Sequence, residues 1–214
     1  MRIAILTTEE QNQEIINSKN TGNETGLVFI KNISEMENFA EFDAFFLLTD
    51  NIPAVTSEDL YKKPIIINSV VNTLKSTKLP SNVSRINGWP GFLKRSVWEI
   101  ASNSKAMTEV VFKSLGWNIL FVKDEPGLVG ARVLSMVINE AYFALGENVS
   151  TINEIDLAMK SGTNYPFGPF EWLETIGIQN IYMLLKKLSE TNKRYLIAPL
   201  LEQEFKKFTS SQSE

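Results

Sequence analysis

Proton transfer or nucleophilic attack in this chain would have to proceed without histidine or cysteine, because its 214 residues contain neither. Histidine is the side chain that titrates near neutrality without help. Acid–base work therefore falls to a carboxylate, a lysine or a tyrosine in an unusual environment. Disulfides, thiolate nucleophiles and cysteine-ligated metals are excluded, and a zinc site would need carboxylates alone. The most suggestive acid is Glu99, set among Val97, Trp98 and Ile100. Desolvation there would suit acid–base work; pairing with Arg85, Lys94 or Arg95 would make it an ordinary ion-pair partner. Upstream, Asn87-Gly88 reads as a turn, with Trp89 and Phe92 packing in a cleft between domains. The Asn87 amide can donate to a ligand oxygen but cannot take up a proton.

The first β-type run, Arg2–Leu6, enters Thr7-Thr8-Glu9-Glu10-Gln11-Asn12 with no glycine before Gly22. A dinucleotide fold needs glycines at this turn so that the backbone can approach a pyrophosphate resting on a helix N-terminus. Here two glutamates stand where phosphates would dock, and like charges repel. Lys31-Asn32 stand where a ribose-binding acid is expected at the end of the second strand.

Three blocks downstream supply a family. Lys-Asp-Glu-Pro-Gly-Leu-Val-Gly-Ala-Arg occupies 123–132. Glu-Ile-Asp-Leu-Ala-Met-Lys-Ser-Gly occupies 154–162, and Tyr-Pro-Phe-Gly-Pro-Phe-Glu-Trp-Leu occupies 165–173. Their order, types and spacing resemble the C-terminal helical domain of the 3-hydroxyacyl-CoA (3-hydroxybutyryl-CoA) dehydrogenases. That resemblance implies a helical dimerisation domain, an NAD-linked reaction between 3-hydroxyacyl-CoA and 3-ketoacyl-CoA, and a His–Glu pair. Glu99 matches the family glutamate. Counting back twelve residues puts Asn87 at the histidine position. The family asparagine before the arginine of the hinge block is Ala131 here, and the substrate-contacting serine falls at Val70, with Ser69 able to stand in. Trp89 and Tyr165 complete the substrate-cleft candidates. Phe167, Phe170 and Trp172 read as packing residues, and Gly162, Pro166, Gly168 and Pro169 as fixing a turn.

The elements that must position these groups fall into two sets. Residues 1–124 alternate apolar runs (Arg2–Leu6, Gly26–Lys31, Asp43–Thr49, Pro64–Ser69, Val83–Asn87 and Asn118–Lys123) with helical segments at Thr8–Asn17, Ser34–Phe39, Ser57–Tyr61, Val70–Thr77 and Ser104–Leu115. Runs apolar on consecutive residues suit a doubly covered parallel sheet. Residues 125–208 read as helices at Val129–Leu145, Thr151–Ser161, Phe170–Thr175, Ile178–Thr191 and Lys193–Phe208, with 209–214 a polar tail. The predicted class is therefore α/β plus all-α: a shortened Rossmann-like parallel-sheet domain followed by a helical 3-hydroxyacyl-CoA dehydrogenase C-terminal-type domain. The helix 129–145 carries two apolar stripes. The second, with Tyr142 and Leu145, is expected to be left over for a two-fold mate.

The hydrophobic fraction is 43% and the net charge −4, with mean hydropathy −0.07. These figures suit a folded chain and show no basic face for nucleic acid. The apolar run at the N-terminus is too short for a secretory signal, and none approaches a membrane span. A soluble, cytoplasmic homodimer is expected, with no membrane partner. The leading expectation is a family member without the usual histidine-dependent hydride transfer and with no cofactor, which keeps an acyl-CoA or other small-molecule cleft. Two alternatives stand beside it. One is an active NAD-dependent dehydrogenase using Glu99 or Tyr165 in a rearranged site. The other is a non-catalytic structural or regulatory dimer.

Overall fold

The computed structural model describes residues 1–19, 26–32, 39–49 and 62–212. The chain divides into two units, Met1–Leu128 and Val129–Glu214. Among the described residues no helix is long and apolar enough to cross a membrane, and no cluster of three or more acidic residues could hold a metal ion.

The first unit is a seven-stranded sheet in the order β2-β1-β3-β4-β5-β6-β7. The strands are β1 (Arg2–Leu6), β2 (Gly26–Ile30), β3 (Ala44–Leu47), β4 (Ile65–Asn68), β5 (Val83–Ile86), β6 (Val97–Ser102) and β7 (Asn118–Phe121). Six correspond to the expected apolar runs. Strand β6 is additional, and it pairs antiparallel with β5, Ile86 opposite Ile100, while every other pairing is parallel. The ten residues between β5 and β6 form a turn without a helix, too short for the crossover that a parallel neighbour requires. The sheet therefore reverses at the Asn87 turn.

Consecutive apolar residues serve the two faces in alternation. Ile3, Ile5, Phe46, Ile66, Ile86, Trp98 and Ile100 pack beneath Ile15 of α1 (Glu9–Ser18) and Val111, Phe112 and Leu115 of α3 (Lys105–Leu115). Phe46, Trp98, Phe112 and Trp117 form an edge-on aromatic group with centroids 5.1–6.4 Å apart. Ala4, Leu6, Phe45, Leu47, Ile65, Ile67 and Val83 make the other face with Leu74 of α2 (Leu74–Thr77). Helix α2 begins only after Thr73, which caps it, rather than at Val70. The expected Ser57–Tyr61 helix lies outside the described residues. So does Ser34–Phe39 apart from Phe39, which opens a 3-10 turn, Phe39–Glu41.

Arg85 is the fixed point of this unit. It is fully buried, with Nε 2.6 Å from Asp124 Oδ1, while its other nitrogens donate to the Ser69 and Glu125 carbonyls at 2.8 and 2.6 Å. Asp124 in turn accepts the Leu74 and Lys75 amides at the start of α2. Burial pushes the Arg85 guanidinium down while Asp124 keeps it charged. For Asp124, burial acts upward, but Arg85 and the two amides outweigh it and hold the carboxyl below its ordinary range.

The second unit is built on α4 (Gly130–Gly146), which packs against α6 (Pro169–Ile176), α7 (Ile178–Ser189) and α8 (Pro199–Ser211); α5 (Ile152–Thr163) packs on α6. Asp156, from the Ile-Asp-Leu-Ala-Met block, is buried and accepts the Phe170 and Glu171 amides at 2.9 and 3.3 Å, so one block caps the helix that the next begins. A Cβ on Gly168 would lie 2.2 Å from Asp156 Oδ1. That close approach, not an unusual φ, is what demands glycine there. Gly162 differs from expectation. It lies in the last turn of α5, a Cβ added to it would meet nothing within 4 Å, and the left-handed residue that ends the helix is Asn164, at φ 55°.

Three further expectations change. The helix expected over Lys193–Phe208 is split into a 3-10 turn, Lys193–Tyr195, and α8. Pro199 sets the new start because it has no N–H to continue the ladder. Asn139 closes the break, donating to the Leu196 carbonyl and accepting from Ala198 N–H, both at 2.9 Å. Helix α8 continues to Ser211, beyond the expected end at Phe208. Finally, Tyr142 is not a leftover apolar residue. It is 2% exposed, sits edge-on to Phe170 at 5.1 Å and donates its hydroxyl to Glu204. Burial and Glu204 together push its phenol above the ordinary value. The exposed apolar pair here is Val129, the residue before α4, and Val133 in its first turn, at 51% and 53%.

Candidate functional site

In an open α/β sheet, ligands meet the carboxyl ends of the strands where the strand order reverses. Here that point lies between β1 and β3, on either side of which the chain departs toward β2 and β4. Helix α1 starts there, and its N-terminus is closed by its own side chains. Thr8 Oγ1 accepts Gln11 N–H at 3.2 Å, and Gln11 Oε1 accepts Thr8 N–H at 3.0 Å. Glu9 and Glu10 are exposed in the first turn.

Gln11 also reaches across the strand ends. Its Nε2 donates to the Leu48 carbonyl beyond β3 at 2.8 Å and to the Gly88 carbonyl beyond β5 at 3.2 Å. Glu14 accepts Gly91 and Leu93 N–H at 2.5 and 3.2 Å, and the Lys19 ammonium donates to the Arg95 carbonyl. Helix α1 is thereby stitched to the 87–95 turn. Beside it, Thr7, Thr8, Glu9, Asn12, Phe29, Ile30 and Lys31 line a cavity of about 290 Å³. Glu9 and Lys31 lie 4.0 Å apart at its exposed rim.

The structure brings Asn87 and Glu99 together. With Phe92, Arg95, Val97 and Trp98 they line a recess of about 20 Å³. Asn87 is 7% exposed. Its Oδ1 accepts Trp89 N–H at 3.1 Å, which only an oxygen can do, so the orientation of the amide is set. Its Nδ2 has no protein hydrogen-bond partner. Asn68 supports the turn: its Oδ1 accepts Gly88 N–H at 2.9 Å, and a Cβ on Gly88 would come within 2.9 Å of Asn68 Cγ.

Of the three cations expected near Glu99, Arg85 belongs to Asp124, and Arg95 feels the Glu99 charge. Burial pushes the Arg95 guanidinium down, and Glu99 acts in the opposite direction. Arg95 also lies over the Phe92 ring, 3.8 Å from its centroid.

Ser69 sits beside this turn. Its N–H donates to the Ile86 carbonyl at 3.3 Å, and its hydroxyl donates to the Asn72 carbonyl at 3.0 Å. Val70 is buried and accepts Gly127 N–H through its carbonyl at 2.8 Å. Trp89 and Phe92 are each 4% exposed and so belong to the packing of the turn. Ala131 (fully buried) and Tyr165 (half-buried) belong to the helical unit. Gln11, Glu14, Lys19 and Asn68 are the functional-edge residues that local sequence reading misses. Thr8 and Gln11 show a capping box, but nothing local announces partners at Leu48 and Gly88.

Residues 127–212 match the family described as 3-hydroxyacyl-CoA dehydrogenase, C-terminal domain. The 3-hydroxyadipyl-CoA dehydrogenase of Escherichia coli (strain K12) is 40% identical over 90 residues, 41% of this chain and 19% of that protein. The 3-hydroxybutyryl-CoA dehydrogenase of Clostridioides difficile is 30% identical over 141 residues, 62% of this chain and 50% of its own length. That alignment is longer than the helical unit and so reaches into the sheet unit. The chain thus spans half or less of these curated relatives. The crystal structure of M. tuberculosis FadB2 superposes with a TM-score of 0.73, covering 96% of this chain and 93% of that one at 15% identity, a likeness of fold alone. Within the family match, Asp156 and Gly168 are the residues that cap and seat α6, so the likeness rests on packing physics as well as on sequence. The helical unit of this chain therefore matches the C-terminal domain of the 3-hydroxyacyl-CoA dehydrogenases.

Proposed function

We propose that this chain is a family member without the usual histidine-dependent, NAD-linked hydride transfer. The observation that carries the reading is Asn87, buried at the end of β5 beside Glu99, where the family pattern calls for histidine. A positioned acid–base group contributes roughly 10²–10⁴-fold to rate, and an amide supplies none of it. The sheet edge supports the same reading, because its residues do not fit a dinucleotide. The Thr8 and Gln11 amides that could meet a pyrophosphate are bonded within the capping box. Glu9 and Glu10 add negative charge there, Gln11 spans the crevice, and Lys31 stands in place of a ribose-binding acid. Family membership points to an acyl-CoA as ligand, bound without reduction.

The test is NADH absorbance followed with acetoacetyl-CoA. Turnover should stay far below ~1 s⁻¹, the low end of ordinary enzyme rates, and a rate at or above that would overturn the proposal. Asn87→His alone should leave the protein inactive. The family also implies a homodimer, and the exposed Val129–Val133 pair at the start of α4 is the surface we assign to it. Sedimentation should give twice the 24.2 kDa chain mass, reverting to the monomer in Val133→Lys. A wild-type monomer at micromolar concentration would refute this pairing.

A further inference from the structure

The recess at Asn87 has the dimensions and polarity of a site for one water. A water needs about 10–15 Å³ and two to four polar partners. The recess offers about 20 Å³ and three polar side chains, Asn87, Arg95 and Glu99. An unpartnered buried N–H is unfavourable, so the Asn87 Nδ2 calls for an oxygen to receive it. The same oxygen can donate to the Glu99 carboxylate. That arrangement presents a lone pair and keeps a proton on the group able to remove it, which is how a general base holds a nucleophilic water.

The surface beside Glu99 is apolar and open. Val97, on the same face of β6, is 43% exposed. Leu120, which pairs with Glu99 across β6 and β7, is 55% exposed. We propose that Glu99, with Asn87 as the water's second anchor, hydrolyses a thioester whose acyl group lies on the Val97–Leu120 shelf.

The chemistry selects the leaving group. The water oxygen forms a bond to the thioester carbon while its proton passes to Glu99, and Arg95, which lines the same recess, faces the developing oxyanion with positive charge. The C–S bond then breaks and the proton returns to the sulfur, giving a carboxylic acid and a thiol. An amide or alkyl ester has a far more basic leaving group, whose departure would depend on the proton returning from Glu99 as the bond breaks. A thiolate leaves unaided because its conjugate acid titrates near 8.5.

The proposal rests on the recess and the adjoining shelf and holds whether or not the nucleotide site is lost. Free thiol should therefore be measured with acetoacetyl-CoA and no NADH. We expect release above the buffer rate, lowered by roughly 10²–10⁴-fold in the isosteric Glu99→Gln and by about tenfold in Asn87→Leu. Both variants should be checked for an unchanged melting temperature. No release above background by the wild-type chain, or undiminished release by folded Glu99→Gln, would overturn the assignment. NADH consumption bears only on the proposed loss of hydride transfer.

Discussion

Helices α1 and α6 both begin where backbone N–H groups could meet an anion, and side chains close both starts, but from different places. At α6 two carboxylates close the start: Glu171 of its own first turn accepts Gly168 N–H, and Asp156, from the preceding helix, accepts Phe170 N–H and is pressed so near Gly168 that no side chain fits there. At α1 the closure is local, by Thr8 and Gln11, and Gln11 then ties the helix to strand ends far away in sequence. The first arrangement is family sequence used for packing. The second fills, with the chain's own groups, the position that a glycine-rich loop would leave open to a phosphate. On the proposed reading, motifs that hold helices together are kept while the groups that would meet a cofactor are replaced, because the two sets depend on different residues.

The sharpest way to break this contrast is at the fixed point of the sheet unit. Arg85→Ala leaves Asp124 without its partner and three carbonyl-directed bonds unmade. Removing one member of a buried pair typically costs about 3–5 kcal/mol, readable by urea unfolding. A loss under ~1 kcal/mol would show that the network contributes little. In the helical unit, Gly168→Ala forces Asp156 aside and should cost about 1–3 kcal/mol by overpacking. Gly162→Ala, in open space within a helix, should instead be neutral or stabilise by about 0.5–1 kcal/mol. Equal effects at the two glycines would mean that the Asp156 contact does not govern the α6 start.

A smaller effect should appear with pH. Asp124 titrates below its ordinary value in the folded chain, so its stabilisation is complete above the usual carboxylate range and fades as pH falls through the depressed folded value. The Arg85 shift has no counterpart near neutrality, because a guanidinium stays charged there. Asp124→Asn should therefore flatten the acid limb of stability against pH. An unchanged limb would place the acid sensitivity elsewhere.

Much of the fold was legible because burial on two sheet faces leaves unbroken apolar runs, as in Ile65-Ile66-Ile67. Strand β6 escaped because its Val-Trp-Glu-Ile reads as a catalytic motif, and its direction depends on a short turn rather than on its own residues. Pro199 could have announced the break before α8. The burial of Tyr142 could not be read, since both stripes of α4 are equally apolar in sequence and the choice is made by Phe170 and Glu204. At the candidate site, Asn87 and Glu99 were legible through the spacing of family motifs, and they do share one recess. The Gln11, Glu14 and Lys19 contacts were not, because their partners are backbone groups roughly 40–80 residues away, and a main-chain N–H or C=O carries no residue-specific signal.

The most direct test of the sheet-edge reading is a titration of NADH into the pure chain, followed by tryptophan fluorescence. With the α1 amides taken and Glu9 and Glu10 at the helix start, we expect no saturation below the millimolar range, about −4 kcal/mol of binding free energy. A micromolar dissociation constant, about −8 kcal/mol, would contradict it.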